Sequence, residues 1–137
     1  MNNYRVVIVV NPEMSPGYLA NTVATLSAGL GARFPLLLGA KLSDAAGVAI
    51  DASSKLPIAI LQASPDSLHQ LLAKAGGSDA MQSVVAFPAF ARQMHDFPEY
   101  AEQFTRRQLL QEPLDGLALC GPQQWVKSLT GSLKLLR

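Results

Sequence analysis

The sequence has few charges and a single cysteine, and each shortage excludes a class of protein. Only 15% of the 137 residues are charged, and 11 basic against 10 acidic side chains leave a net charge of +1. That balance supplies no broad cationic surface, so we expect no nucleic-acid partner. Because Cys120 is alone, neither an internal disulfide nor a cysteine-based zinc cluster can form. No metal-binding or cofactor-binding motif is present, and we expect neither group.

Long apolar runs and targeting signals are also missing. The longest apolar stretches are far too short to cross a bilayer, which argues against a membrane span. The N-terminal residues 1–5 lead directly into a strand-like segment without the features of a cleavable signal. We therefore expect a cytoplasmic protein. Its 49% of hydrophobic residues suit one domain, residues 1–137, whose strands are covered on both faces.

Apolar runs alternate with helical patterns along the chain. Unbroken apolar runs predict four strands, at residues 6–10, 58–61, 84–87 and 117–120. A helical pattern follows each strand, and these helices open at Ser15-Pro16, Ser64-Pro65-Asp66, Asp96 and Pro122. Gly29 and Gly31 mark the expected end of the first helix, and residues 32–56 are less regular. The alternation predicts an α/β domain with a parallel or mixed sheet between helices.

The side chains able to carry chemistry are few, and each has a simpler structural role. His95 lies close to Asp96 and Glu99, and an imidazole oriented by a carboxylate can serve as a general base. However, Asp96 has the position of a helix cap. We expect His69 on a solvated helix face and Cys120 as a small buried side chain.

The start of the first helix is the best location for a ligand. Ligands of open α/β sheets bind where the carboxyl end of a strand meets the N-terminus of a helix. Polar groups there fall on adjacent helical turns, although threonine hydroxyls can also bond back to their own helix. The candidate ligand-binding residues are Gly17, Tyr18, Asn21, Thr22 and Thr25, with Tyr100 from a later helix.

Several segments carry a family likeness. Residues 14–26, Ala63-Ser64-Pro65-Asp66 and the stretch Thr130–Leu135 together resemble the type II peptidyl-tRNA hydrolases. Residues 16–22 and 130–137 are more similar still to a bacterial family known only as a domain of unknown function. The resemblance implies a three-layer α-β-α fold with a mixed four-stranded sheet and helices on both faces, and it allows a homodimer.

The departures from the hydrolase pattern concern its polar residues. Aligned on Gly17, the two lysines of that family become Pro16 and Tyr18, its glutamine becomes Thr22, and its histidine becomes Thr25. Its Asp-Ala-Gly-Arg-Thr stretch has no counterpart in residues 87–92. Neutral side chains cannot replace charge-assisted contacts to a phosphodiester, so we do not expect hydrolysis of peptidyl-tRNA by that route.

Three functions follow as hypotheses. The favoured one is a binding or regulatory module for a small, mostly neutral ligand at the helix start. The second is a divergent hydrolase that uses His95 with Asp96 or Glu99, which requires His95 to approach the carboxyl ends of the strands. The third is a residual tRNA-related role on a basic face that includes Arg106, Arg107 and Lys127. The sequence leaves open whether the protein is an enzyme.

Overall fold

A computed structural model describes residues 3–137, while Met1 and Asn2, part of the segment inspected for a signal, lie outside the described residues. The described chain contains four α-helices: α1 (Pro16–Arg33), α2 (Pro65–Ala75), α3 (Phe97–Thr105) and α4 (Gln123–Thr130). Its strands are β1 (Tyr4–Val10), β2 (Leu42–Ser43), β3 (Ala49–Ile50), β4 (Ile58–Gln62), β5 (Ser83–Pro88), β6 (Leu114–Pro122) and β7 (Lys134–Leu135). The four predicted strands are therefore present; β1, β4 and β5 are one or two residues longer than expected, and β6 is more than twice as long.

The main sheet is mixed and runs in the order β5-β6-β1-β4-β7. Strands β1 and β4 are parallel, whereas β6 is antiparallel to both β1 and β5. The prediction of four strands is wrong, because β7 adds a fifth at the edge beside β4. It consists of two residues, and Gln62 of β4 secures it by donating its side-chain amide to the Leu135 carbonyl at 3.0 Å.

Helices cover both faces of the sheet, as predicted. Alternate residues of β1 point to opposite faces, as the period of a strand requires. Val6, Ile8 and Val10 pack with Leu26 and Leu30 of α1. On the other face, Val7 and Val9 pack with side chains of α2 and α4, namely Leu68, Leu71, Leu72 and Val126. The core therefore has two halves, separated by the buried residues 6–10 of β1 and 114–121 of β6.

Helix α1 is longer than the sequence indicated. Gly29 and Gly31 do not end it, because the helix continues to Arg33. Gly29 instead lies where α1 approaches β5, and a Cβ atom there would come within 3.3 Å of Val85. The absence of a side chain lets the helix lie close to the sheet. At the other end of the chain, Pro122 closes β6, and α4 starts one residue later than predicted.

Two helices begin with the caps that the sequence predicts. Ser64 accepts a hydrogen bond from the Ser67 amide at the start of α2. Asp96 accepts one from the Glu99 amide, at 2.8 Å, at the start of α3. Ser15 makes no such side-chain bond at α1. The Asp96 carboxylate is therefore already engaged in stabilising a helix.

The irregular stretch between α1 and β4 contains a small hairpin. Strands β2 and β3 pair in antiparallel fashion, and Gly47 adopts a positive φ of 86° in their connection. The hairpin exposes apolar side chains of Leu42, Val48 and Ile50. Within residues 3–137, no helix combines the length and hydrophobicity needed to cross a membrane.

Candidate functional site

A cavity of about 470 Å³ lies between α1, the edge strand β5 and the segment that leads into α3. Most of its walls are apolar, which is typical of small-molecule sites of this volume. The lining residues are Thr25, Leu26, Val85, Ala86, Phe87, Ala91, Met94, His95, Asp96, Phe97 and Tyr100. Below, we call this space the β5 cavity.

Four polar side chains reach the β5 cavity. Thr25 donates its hydroxyl to the Thr22 carbonyl at 3.1 Å, so it remains an acceptor for a ligand. Asp96 uses one carboxylate oxygen to cap α3. His95 is exposed, and its imidazole makes no hydrogen bond within residues 3–137. Burial raises the pKa of Tyr100, which therefore stays a neutral phenol and a hydrogen-bond donor at physiological pH.

Phe97 and Tyr100 of α3 line the cavity, and their rings belong to a larger aromatic cluster. The Tyr100 ring lies 5.5 Å from that of Phe90, 6.0 Å from Phe97 and 5.8 Å from Phe104, measured between centroids. The Arg107 guanidinium lies over Phe90, 4.2 Å from its centroid. Helix α3 has no fully buried residue, and Phe97 is 74% exposed.

The residues predicted at the helix start do not all line one space. Ser15, Gly17, Tyr18 and Asn21 line a separate, shallow recess of about 290 Å³. Thr22 faces the core and is only 1% exposed. Thr25, Tyr100, His95 and Asp96 lie at the β5 cavity instead. Residues from different predicted sites thus meet there, away from the N-terminal turn of α1.

Sequence reasoning missed an ion pair beside the helix start, between a buried aspartate and a partly exposed arginine. Asp115 on β6 is 3% exposed, and its carboxylate accepts two hydrogen bonds from Arg92, one of them from Nε at 2.6 Å. The Arg92 guanidinium also lies 5.1 Å from the centre of the Tyr18 ring. The hydrogen bond to Asp115 raises the pKa of Arg92 by more than partial burial lowers it, so this pKa lies above its usual value. The sequence did contain one signal of this pair. Asp115 is a single acid between apolar residues at the start of a buried strand, and a buried carboxylate requires a partner.

The other candidate side chains have structural partners. We expected His69 on a solvated helix face, but it is only partly exposed, and its Nε2 lies in hydrogen-bond contact with the Glu112 carbonyl. Arg106 pairs with Glu102, and Arg107 pairs with Glu112, both at 2.8 Å. These acids offset the expected basic face. No group of three or more potential metal-ligating His, Cys, Asp or Glu side chains occurs in residues 3–137.

Cys120 is expected to be unreactive in the folded protein. It is completely buried in β6, and desolvation raises the pKa of its thiol to about 11. Because only the thiolate is nucleophilic, the native protein should not react with Ellman's reagent at pH 8, whereas the unfolded chain should release one equivalent of thionitrobenzoate. Rapid reaction of the native protein would contradict this placement.

Comparisons with known proteins agree with the fold and leave the function open. A solved structure of a protein of unknown function from Agrobacterium tumefaciens strain C58 is similar to this chain, with a TM-score of 0.85 over 98% of each chain at 17% sequence identity. None of the curated proteins matches the sequence significantly. The model of the family described as "Protein of unknown function (DUF2000)" matches residues 4–137. The chain therefore belongs to the DUF2000 family.

Proposed function

We propose that this protein is a binding module for a small, neutral and largely apolar ligand, and that the β5 cavity is the binding site. One observation carries the proposal: a cavity of about 470 Å³ brings Thr25, His95 and Tyr100 together around mainly apolar walls. A few hydrogen-bonding groups in an apolar space can orient a ligand, while burial of its apolar surface supplies most of the affinity.

The charges around the cavity favour a neutral ligand. Asp96 already accepts the Glu99 amide, and Arg107 is turned away onto Phe90 and Glu112. Within residues 3–137, no lysine or arginine side chain lines the cavity to attract an anion. The neutral Tyr100 phenol and the Thr25 hydroxyl suit hydroxyl, carbonyl or amide groups on the ligand.

A neutral fluorescent probe tests the proposal before the natural ligand is known. We expect N-phenyl-1-naphthylamine to bind saturably, with enhanced and blue-shifted emission, to the parent protein. Thr25→Phe fills the cavity from the exposed face of α1 and should weaken that binding by about tenfold or more, equivalent to the burial of roughly two methylene groups.

The matched control is Ala24→Phe, which adds the same ring to the neighbouring exposed position of α1, outside the cavity lining. It should bind the probe like the parent protein. Equal loss of binding in both variants, or no saturable binding to the parent, would contradict the proposal. Circular dichroism checks that both variants keep the parent's helical content.

A second candidate function is hydrolysis, because His95 and Asp96 line the same cavity. Asp96→Asn separates the two roles of this residue, since asparagine is as good a helix cap as aspartate but lacks the negative charge that would stabilise a protonated imidazole. If His95 is a general base, both Asp96→Asn and His95→Gln should lower turnover of p-nitrophenyl acetate without lowering the melting temperature. Unchanged turnover in both variants would exclude this route for that ester.

The finer description of the scaffold is also a proposal. We propose the type II peptidyl-tRNA hydrolase-like arrangement from the likeness of residues 14–26 and 130–135. The acids paired with Arg106 and Arg107 weaken the case for a tRNA-related role on that face. A homodimer and a cytoplasmic location remain predictions from the sequence; light scattering on the purified protein tests the first.

A further inference from the structure

Strand β5 is an edge strand, and one of its outward main-chain positions is already occupied. Ser78 accepts a hydrogen bond from the Val84 amide at 2.9 Å and donates its hydroxyl to the Val84 carbonyl at 3.2 Å. Both main-chain groups of Val84 therefore point away from β6, the partner strand of β5 at this edge of the sheet. Ser78 covers this part of the edge, as edge strands of natural sheets commonly require.

Along a strand of an antiparallel pair, the main-chain N–H and C=O groups point alternately toward the partner strand and away from it. Val84 pairs with Leu119 and Ala86 with Leu117 in unbroken register, and the irregularity of β5 comes only after Phe87. Two residues after Val84, the N–H and C=O of Ala86 therefore also point outward. They take part in none of the side-chain, loop or turn hydrogen bonds of residues 3–137.

Ala86 presents this free pair to the β5 cavity. Its methyl group packs with the core half beneath α2 and α4, whereas Val85 and Phe87 belong to the half beneath α1. All three residues line the cavity. We therefore assign the main chain of Ala86 to the cavity wall, where it offers one donor and one acceptor side by side.

We propose that the β5 cavity recognises a single amino-acid residue with an amide on each side, which adds to β5 in antiparallel pairing opposite Ala86. This inference rests on the proposed function and names the class of ligand. The ligand's N–H would donate to the Ala86 carbonyl, and its C=O would accept from the Ala86 amide. Its apolar side chain would lie against Val85, Phe87 and Met94.

The neighbours of Ala86 limit the ligand to one such residue. Toward the start of the strand, Ser78 blocks Val84. Toward its end, the next outward position falls at Pro88, which has no N–H to donate, and the pairing shifts there. A longer peptide would therefore gain no second pair of ladder bonds. The volume of about 470 Å³ suits a single acylated residue rather than an extended chain.

Two matched probes test this inference on the unmodified protein. The first is N-acetyl-leucine N′-methylamide, and the second is its depsipeptide analogue, in which an ester oxygen replaces the leucine N–H. Titration in ¹H–¹⁵N correlation spectra should show the Ala86 amide proton moving downfield, with about fivefold or greater preference for the amide probe, the ratio expected from one net hydrogen bond. Equal affinity for both probes would overturn the inference.

A pair of proline variants provides the protein side of the test. Ala86→Pro removes the outward N–H in the cavity. Val84→Pro removes the outward N–H two residues earlier, outside the cavity lining. The Ala86 amide donates to the leucine carbonyl, which both probes share, so Ala86→Pro should weaken the binding of both probes about fivefold. Val84→Pro should leave both affinities unchanged. If the fluorescent probe binds but both leucine probes fail, the inference is wrong and the proposed function stands. If none of the three binds, both are wrong.

Discussion

Replacing Arg92 with methionine is expected to lower the free energy of unfolding by about 3 kcal/mol, the lower end of the range for breaking a buried ion pair. The reason is Asp115, which is 3% exposed and whose carboxylate would lose both hydrogen bonds from the guanidinium. The estimate is at the lower end because the Arg92 side chain keeps 36% of its surface in water. Urea denaturation of both proteins measures the difference.

The matched control is Arg106→Met, which removes an exposed arginine from its pair with Glu102. We expect a cost of about 0.5 kcal/mol or less, as for other exposed pairs on helices. Adding Asp115→Asn to Arg92→Met should recover part of the lost stability, since the neutral amide costs less to bury than the charge. Equal losses in Arg92→Met and Arg106→Met would contradict the buried pair.

Gly116→Ala is expected to destabilise the protein by about 3 kcal/mol, the upper part of the usual range for overpacking. A Cβ atom at Gly116 would lie 2.9 Å from the Thr22 methyl, 3.1 Å from Leu26 and 3.1 Å from the Val9 carbonyl oxygen. The last of these cannot move without disturbing the pairing of β1 with β6. The shift in melting temperature, followed by circular dichroism, measures this cost.

Two further variants separate crowding from a general effect of alanine. Thr22→Ser removes the nearest methyl group, so it should restore part of the stability lost in Gly116→Ala. Gly17→Ala adds a methyl group to the first turn of α1 with nothing within 4 Å, and it should be neutral or slightly stabilising. Little effect of Gly116→Ala would show that α1 does not pack closely over β6.

The elements with strong local signals were predictable from the sequence. The run Val6–Val10 and the segment Leu117–Cys120 are buried throughout, so their unbroken apolar character identified them as strands. Ser64 and Asp96 also act as the caps that their positions indicate. Local sequence decides such features, because burial and capping leave a pattern within a few residues.

The elements that depend on distant pairing were not predictable. Strand β7 has two residues, and it exists because Lys134 and Leu135 meet β4 more than 70 positions earlier in the chain. Gly29 gave a misleading signal, since glycine serves equally for a helix end and for close packing, and only the proximity of Val85 decides between them. Neither contact leaves a mark in the local sequence.

The candidate site was anticipated only in part. Thr25, Tyr100, His95 and Asp96 were named in advance, but the sequence placed Thr25 with Tyr18 and Asn21 at the helix start. Helical spacing shows which residues share a face, but the position of α3 beside β5 results from tertiary packing. The ion pair of Arg92 and Asp115 was missed because its members lie 23 residues apart.

The most direct test of the account is to locate a bound neutral probe by NMR. Methyl and amide spectra of the protein, recorded with increasing N-phenyl-1-naphthylamine, should show the largest shifts at Val85, Ala86 and Met94, which line the β5 cavity. That result would place the ligand between α1, β5 and α3. Shifts concentrated at Gly17, Tyr18 and Asn21, or spread evenly over the surface, would contradict it.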